Sequence, residues 1–157
     1  MNEIILDKIN QAYKGELGKE MQEDAEKRIR WICSNVAGTK ALDVGCSQGI
    51  TSLLLGRSGK KVIGVDIIPE QIDYAKNELA NESEFVQNQV KFYCGDFSDF
   101  DFGKEKFDTI IMGECLEHVY NPTVFLDRAK NLLNERGKLI VTVPFGINPF
   151  PDHKRTY

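Results

Sequence analysis

Apolar residues along this chain fall into two alternating patterns. KALDVG (40–45), KVIGVDI (61–67), VKFYCGD (90–96), FDTIIMGE (107–114) and KLIVTVPF (138–145) are short, nearly continuous apolar runs, and they predict buried strands. Between them the spacing turns helical. GITSLLLGRSG (49–59) carries Leu53, Leu54 and Leu55 and closes on glycine. Pro69 suits a first helical position and opens PEQIDYAKNELANE, which sets Ile72, Ala75 and Leu79 on one face. Asn121-Pro122 reads as an N-cap and first residue for PTVFLDRAKNLLNE, with Gly137 expected just past the helix end. Residues 16–35 predict a further helix, with Met21, Ile29, Trp31 and Ile32 as packing residues and Trp31 as a core anchor. Its Glu20, Glu23, Asp24, Glu26, Lys27, Arg28 and Arg30 read as a solvated face. Strands separated by helices predict right-handed βαβ units and a parallel sheet. The chain contains no internal repeat, low-complexity tract or linker.

Chemistry collects at the carboxyl ends of the strands. The first strand runs into Asp43-Val-Gly45-Cys46-Ser47-Gln-Gly49. Glycines here let the backbone turn sharply and let a ligand approach it. The spacing is D-x-G-x-x-x-G rather than the G-x-G-x-x-G of dinucleotide loops, and no G-K-[ST] follows to hold a triphosphate. Asp43 adds a carboxylate, which suits a positively charged ligand and repels phosphate. Asp66 ends the second strand 21 residues after Gly45, where an acid can accept both hydroxyls of a ribose. Gly95-Asp96-Phe97 ends the third, placing a carboxylate and an aromatic ring where an adenine amino group and ring can be met.

ALDVGCSQG, VIGVDI, CGDF, FDTIIMGECLEHV and GKLIVTVP, taken in order over about residues 38–145, resemble the class I S-adenosyl-methionine-dependent methyltransferases. The resemblance implies a doubly wound, Rossmann-like α/β fold with strand order 3-2-1-4-5 and helices on both faces. It divides the chain into an N-terminal helical cap (1–35) and a cofactor-binding domain (36–157). It also implies that Asp43 and the loop of Gly45, Cys46, Ser47 and Gly49 pass the methionine part of the cofactor. Asp66 would then bind the ribose hydroxyls and Asp96 with Phe97 the adenine, with Ile67 and Glu114 as further cofactor-binding residues. The segment before the sheet would lid the cofactor, bringing Tyr13 and Lys19 near it.

A hydroxyl acceptor must lose its proton to a base or to a metal that lowers its pKa. The residues after the fourth strand are Glu114-Cys-Leu-Glu117-His118. In a helix, positions i, i+3 and i+4 share a face, so two carboxylates and an imidazole would gather. With His153 as a fourth ligand, such a set suits Mg, Mn, Fe or Zn. E-x-x-E-H followed by D-H-K is similar to the metal site of small-RNA 3′-terminal 2′-O-methyltransferases, and a similar E-x-x-E-H occurs in quinone-biosynthesis O-methyltransferases. Three roles stay open for this segment: metal ligation, metal-free catalysis by His118 with Glu117, and plain structure. The leading functional expectation is methylation of a hydroxyl on a sugar, glycan or small metabolite. RNA 3′-end methylation and a non-catalytic cofactor-binding domain are the alternatives, and the missing dinucleotide loop weighs against an oxidoreductase.

Composition narrows these classes. Twenty Lys and Arg against 24 Asp and Glu give a net charge of −4, which does not suit a protein that coats nucleic acid. The four cysteines (Cys33, Cys46, Cys94, Cys115) form no C-x-x-C pair, and a reduced, cytoplasmic setting is the simplest reading. No apolar run reaches the roughly 18 residues of a membrane span, and the N-terminus has no secretory pattern. A length of 157 residues predicts one domain. Against the family it is short, without room for the C-terminal antiparallel hairpin. LIVTVPF would then be an apolar edge strand, predicting a longer polypeptide or pairing with a second copy.

Overall fold

The five apolar runs form β1 (Lys40–Val44), β2 (Lys61–Asp66), β3 (Val90–Cys94), β4 (Phe107–Gly113) and β5 (Leu133–Thr142) in the computed structural model, which describes residues 7–144. Every pairing is parallel and the order is β3-β2-β1-β4-β5, as the resemblance implies. The helices are α1 (Ile9–Tyr13), α2 (Lys19–Asn35), α3 (Ile50–Arg57), α4 (Pro69–Ala80), α5 (Glu84–Gln87) and α6 (Pro122–Leu132). Both α4 and α6 start on proline, whose missing N–H costs nothing there. Asn121 stands at the N-cap of α6 but makes no side-chain cap.

Successive strand residues point to opposite faces, so the two faces carry different cores. Ala41, Val62, Phe92, Ile111 and Ile140 join α2, α3, α4 and α5 through residues such as Ile32, Leu53, Ile72 and Val86. Leu42, Val44, Val65, Ile110 and Met112 face the other way, toward Ala129 of α6 and toward Phe97, Phe102 and Phe107. No helix links β3 to β4; a loop does, and its phenylalanines fill the space a helix would cover. Phe97, Phe100, Phe102, Phe107 and Phe125 form a chain of tilted and edge-on ring contacts with centroids 4.8–6.2 Å apart.

Three local expectations are corrected. The N-terminal helix starts at Lys19 rather than residue 16, after Gly15 and Gly18 at φ 79° and 103°. Its buried stripe is Ala25, Ile29 and Ile32, spaced i, i+4 and i+7; Trp31 falls about 100° off that stripe and is 53% exposed. Met21, in the first turn, is also exposed. Gly137 is not a helix C-cap: α6 ends at Leu132 and β5 begins at once. Leu133 pairs with Phe107 and Lys138 with Thr109, so β5 bulges between them. A Cβ on Gly137 would sit 2.8 Å from Leu133, which is why the bulge takes glycine.

Gly49 is the N-cap of α3 at φ 85°. A Cβ there would lie 2.6 Å from the Phe92 ring and 2.9 Å from the Ala75 Cβ. Its glycine therefore answers to packing and backbone together. Gly49→Ala is expected to destabilise the chain by about 2–4 kcal/mol in urea unfolding, combining left-handed strain with overpacking. A loss below about 0.5 kcal/mol would show that neither constraint acts.

Candidate functional site

In a parallel sheet the connections diverge on either side of the strand where the chain reverses its winding, and a crevice opens at the carboxyl ends. Here that strand is β1, between β2 and β4. A cleft of about 410 Å³ lies there, lined by the ends of β1 and β2 and by the segments that follow β1, β2, β3 and β4. A smaller pocket of about 40 Å³ adjoins it, sharing Asp7, Gly45, Ser47 and Glu114 and reaching back to Arg28 and Asp43.

The glycine loop is shaped by its own backbone. Gly45 and Cys46 both donate their N–H to Val65 O, at 2.8 and 3.1 Å, and Gly49 N–H closes a turn on Cys46 O. A Cβ on Gly45 would meet Cys115 Sγ at 3.2 Å, so two loops approach closely there. Ser47 sits at φ 48°, and Glu114 at φ 52°; they are the only non-glycine residues with positive φ among the described residues. Both line the cleft. Such strain persists only where the surroundings impose it, and it concentrates at functional sites. For Ser47 the cause is visible: its N–H donates to Asp66 Oδ2 at 2.8 Å. Asp66 Oδ1 accepts from Ile68 N–H at 2.9 Å. Each oxygen keeps a second lone pair for a hydroxyl.

Of the residues singled out in the sequence, Gly45, Ser47, Asp66, Ile67, Asp96, Phe97, Glu114 and His118 line this cleft together. Ile67 is 63% exposed, an apolar surface with nothing of the protein over it. Asp96 Oδ1 accepts from Ser98 N–H at 2.8 Å, which fixes its turn. Phe97 shows the cleft little more than an edge: it is buried, its ring against Phe102 and Phe125. Asp43 and Cys46 lie behind the loop, in the smaller pocket, and Gly49 lines neither space.

Asp43 is buried and accepts a 2.7 Å hydrogen bond from Ser52 Oγ. Burial, opposed by that bond and reinforced by the charge of Asp66, pushes its carboxyl up to about 6. Burial pushes the Cys115 thiol up to about 12, with Glu117 adding to the shift, and raises Cys46 well above its ordinary value. Neither is a poised nucleophile.

The E-x-x-E-H segment departs from the expected helical turn. Glu114 is in the left-handed region, and only Leu116–His118 form a 3-10 turn. The three side chains therefore take separate environments. Glu114 pairs with Arg28 at 3.5 Å, Glu117 is buried at 1% exposure, and His118 stands in the cleft with Nε2 3.9 Å from Glu117 Oε1. Among the described residues no three His, Cys, Asp or Glu side chains gather to hold a metal, so these donors do not fit a divalent ion. His153 lies outside the described residues.

Sequence reasoning missed Arg28, Asp7 and Gln71. Arg28 reads as one of many surface charges on an amphipathic helix, yet it lies next to buried Ile29 and reaches the pocket. Gln71 is buried, lines the cleft and donates from Nε2 to Asp7 O at 2.8 Å. Nothing local in the sequence marks these three, because Gln71 meets Asp7 across 64 positions and Arg28 meets Glu114 across 86. Tyr13 and Lys19 line neither the cleft nor the pocket; Lys19 pairs with Glu23 on the surface.

An open parallel sheet in this order, with acids at the ends of neighbouring strands and no phosphate-binding loop, defines a Rossmann-like domain built for an adenosyl ligand without phosphates. The methyltransferase domain family matches residues 42–141, and the chain belongs to it, among the class I S-adenosyl-methionine-dependent methyltransferases. It is 36% identical over 123 residues to a ubiquinone biosynthesis O-methyltransferase of Actinobacillus pleuropneumoniae, covering 71% of this chain and 48% of that protein. A Coxiella burnetii protein of the same description is 33% identical over 114 residues, covering 71% and 47%. The chain thus spans about half the length of these relatives. Among solved structures, the glycopeptide N-methyltransferase MtfA complexed with S-adenosyl-methionine matches with a TM-score of 0.70 at 14% identity, over 76% of this chain and 50% of that one. The [4+2]-cyclase SpnF matches with the same TM-score at 21% identity, over 78% and 46%. Those two likenesses concern the fold. No helix among the described residues is long and apolar enough to cross a membrane.

The position of Asp43 has a consequence for stability. Its folded pKa lies above the unfolded value, so its contribution favours folding below about pH 4 and is lost as pH rises through about 6. Asp43→Asn keeps an acceptor for Ser52 without the charge. Between pH 4 and 7 the wild type is expected to lose about 2–3 kcal/mol relative to this variant, read from urea unfolding at each pH. Parallel pH profiles would show that Asp43 is ionised in the folded chain at no cost.

Proposed function

We propose that this chain serves transfer of a methyl group from S-adenosyl-methionine to a hydroxyl oxygen of a small acceptor of the quinone-precursor type. The observation that carries the cofactor side is the charge of the cleft. Asp7, Asp66, Asp96 and Glu114 line it and, among the described residues, no Lys or Arg does, although Arg28 in the adjoining pocket pairs with Glu114. Four carboxylates favour a cationic ligand rich in hydroxyl and amino donors and oppose a pyrophosphate. The acceptor side is supported by the relatives, which are described as ubiquinone biosynthesis O-methyltransferases. They lend nothing to a sugar, glycan or RNA acceptor.

On this reading Asp66 accepts the ribose hydroxyls through its outward lone pairs, and exposed Ile67 lies against the adenosine. Asp96 accepts from the adenine amino group. Gly45 and Ser47 border the methionine part, where the missing side chain of Gly45 leaves the main chain open. Arg28 and Glu114, already paired, suit the carboxylate and ammonium of that amino acid; each then exchanges part of an internal ion pair for one with the ligand. Asp43 supports the loop from behind.

When bound, the cofactor would supply a methyl group activated by its sulfonium, with adenosyl-homocysteine as the leaving group. The protein's own work is to orient the acceptor and take its proton. His118 is the cleft residue suited to this, with a side chain 41% exposed. Glu117, buried behind it, sets the ring's position. Val119, Tyr120 and Phe125 give this end of the cleft an apolar and aromatic wall, suited to a flat ring better than to a polyhydroxylated sugar.

Two variants test this. Asp66→Ala is expected to weaken adenosyl-homocysteine binding about a hundredfold by calorimetry, from loss of two charge-assisted hydroxyl contacts. His118→Ala is expected to lower kcat about 10²–10³-fold while cofactor affinity stays within about threefold. The assay is adenosyl-homocysteine formation with a hydroxylated quinone-precursor acceptor. No turnover on any hydroxyl acceptor by the wild type would overturn the reading.

A further inference from the structure

The N-terminal segment carries a feature that cofactor contacts do not explain. Asn10 is fully buried in α1, a helix of five residues. Its backbone N–H donates to Gln48 Oε1 at 2.9 Å, and its own Oδ1 accepts from Ile50 N–H at 2.9 Å. Gln48 belongs to the glycine loop and Ile50 is the first residue of α3. The segment and the loop thus hold each other through two crossed hydrogen bonds between side chain and backbone.

A five-residue helix is far below the length that sustains itself, so its contacts decide where α1 lies. Gln71 adds a bond to Asp7 O, and Lys14 pairs with Glu78 at 2.6 Å. On its other side the segment joins α2 through Gly15 and Gly18, and a Cβ on Gly18 would touch nothing. Asp7 and Ile9 line the inner pocket. The segment is therefore pinned at the glycine loop and turns into α2 through two left-handed glycines.

The choice of asparagine is informative. An apolar side chain would seal this site without polar cost, whereas Asn10 Nδ2, also buried, has no hydrogen-bond partner among the described residues. A half-satisfied buried amide is a poor way to gain stability and a good way to hold one geometry that can still be released. It also occupies the first free N–H of α3, the group that would otherwise attract an anion.

We propose that Asn10 is a positioning residue for the cofactor. Its clasp with Gln48 and Ile50 holds the Gly45–Gly49 loop in its binding shape and the 7–13 segment across the inner pocket, and the cofactor leaves only when the clasp opens. The proposal rests on the assignment of this cleft to the adenosyl cofactor. It makes cofactor release a property of residues that do not touch the cofactor.

The test is adenosyl-homocysteine binding to the full chain, with association and dissociation rates measured by stopped-flow fluorescence or surface plasmon resonance. Asn10→Ala and Gln48→Ala are each expected to speed dissociation about tenfold, the equivalent of one buried hydrogen bond, with association within about twofold. Asn10→Asp keeps the acceptor for Ile50 N–H and should restore most of the slow release. If Asn10→Ala lowers the melting temperature while dissociation is unchanged, α1 is only structural and the proposal is overturned. Hydrogen exchange on the wild type gives a reading that needs no variant. The Asn10 and Ile50 amides should exchange at least about tenfold more slowly with saturating adenosyl-homocysteine, while mid-β5 amides stay unchanged. Equal exchange with and without ligand overturns the clasp. A wild type that fails to bind adenosyl-homocysteine refutes the cofactor assignment itself, a result distinct from unchanged rates in a wild type that binds.

Discussion

Five strands running the same way cannot be joined by tight turns, so every connection must cross a face of the sheet and return. Because β2 and β3 lie to one side of β1 and β4 and β5 to the other, the connections part at the carboxyl end of β1. That parting opens the cleft, and the remaining features of the site follow from what the chain places at its rim. The glycine loop must bend there because β1 delivers it against the end of β2. Both Gly45 and Cys46 N–H groups end on Val65 O, and the next N–H, of Ser47, ends on Asp66. The end of β2 thereby receives the loop and lines the cleft.

This arrangement concentrates unfavourable energies at one place. Ser47 and Glu114 hold left-handed backbone conformations, Asp43 keeps a carboxyl in the interior, and Glu117 is buried beside His118. The rest of the fold is built from ordinary elements: apolar strands, proline-started helices, a phenylalanine cluster over one face. A folded chain tolerates such local costs only if the surrounding core is secure, and here both sheet faces are covered beside the strained loops. The negative rim has a simple chemical reading. Its charge opposes a phosphate and favours a cation, unlike the phosphate-binding loops of similarly wound dinucleotide sites.

Elements with strong local signals were legible from residue order. The five strands, the proline starts of α4 and α6, and the acids ending β2 and β3 lie where pattern and spacing put them. Errors arose where a residue's neighbour is remote in the chain. Trp31 has the composition of a core residue, but its angle on α2 turns it from the sheet. Gly49 reads as ligand-facing because it completes a motif, whereas Phe92 and Ala75 are what require it. Glu114, Glu117 and His118 share a face only in an α-helix; with Glu114 left-handed, its side chain pairs with Arg28, while Glu117 and His118 stay side by side.

Residue order by itself determined the class of fold, the resemblance to a family that uses an adenosyl cofactor, and the glycine loop after β1. Hydrophobic periodicity, glycine spacing and strand-end acids are local, and each has one dominant physical outcome. Tertiary structure decided which of the marked residues reach the cleft and which unmarked ones join them. Arg28 meets Glu114, and Asn10 meets Gln48 and Ile50, only because α1 and α2 pack over the loops that end β1 and β4. Such contacts join residues 38 to 86 positions apart, and no local pattern encodes a partner at that distance.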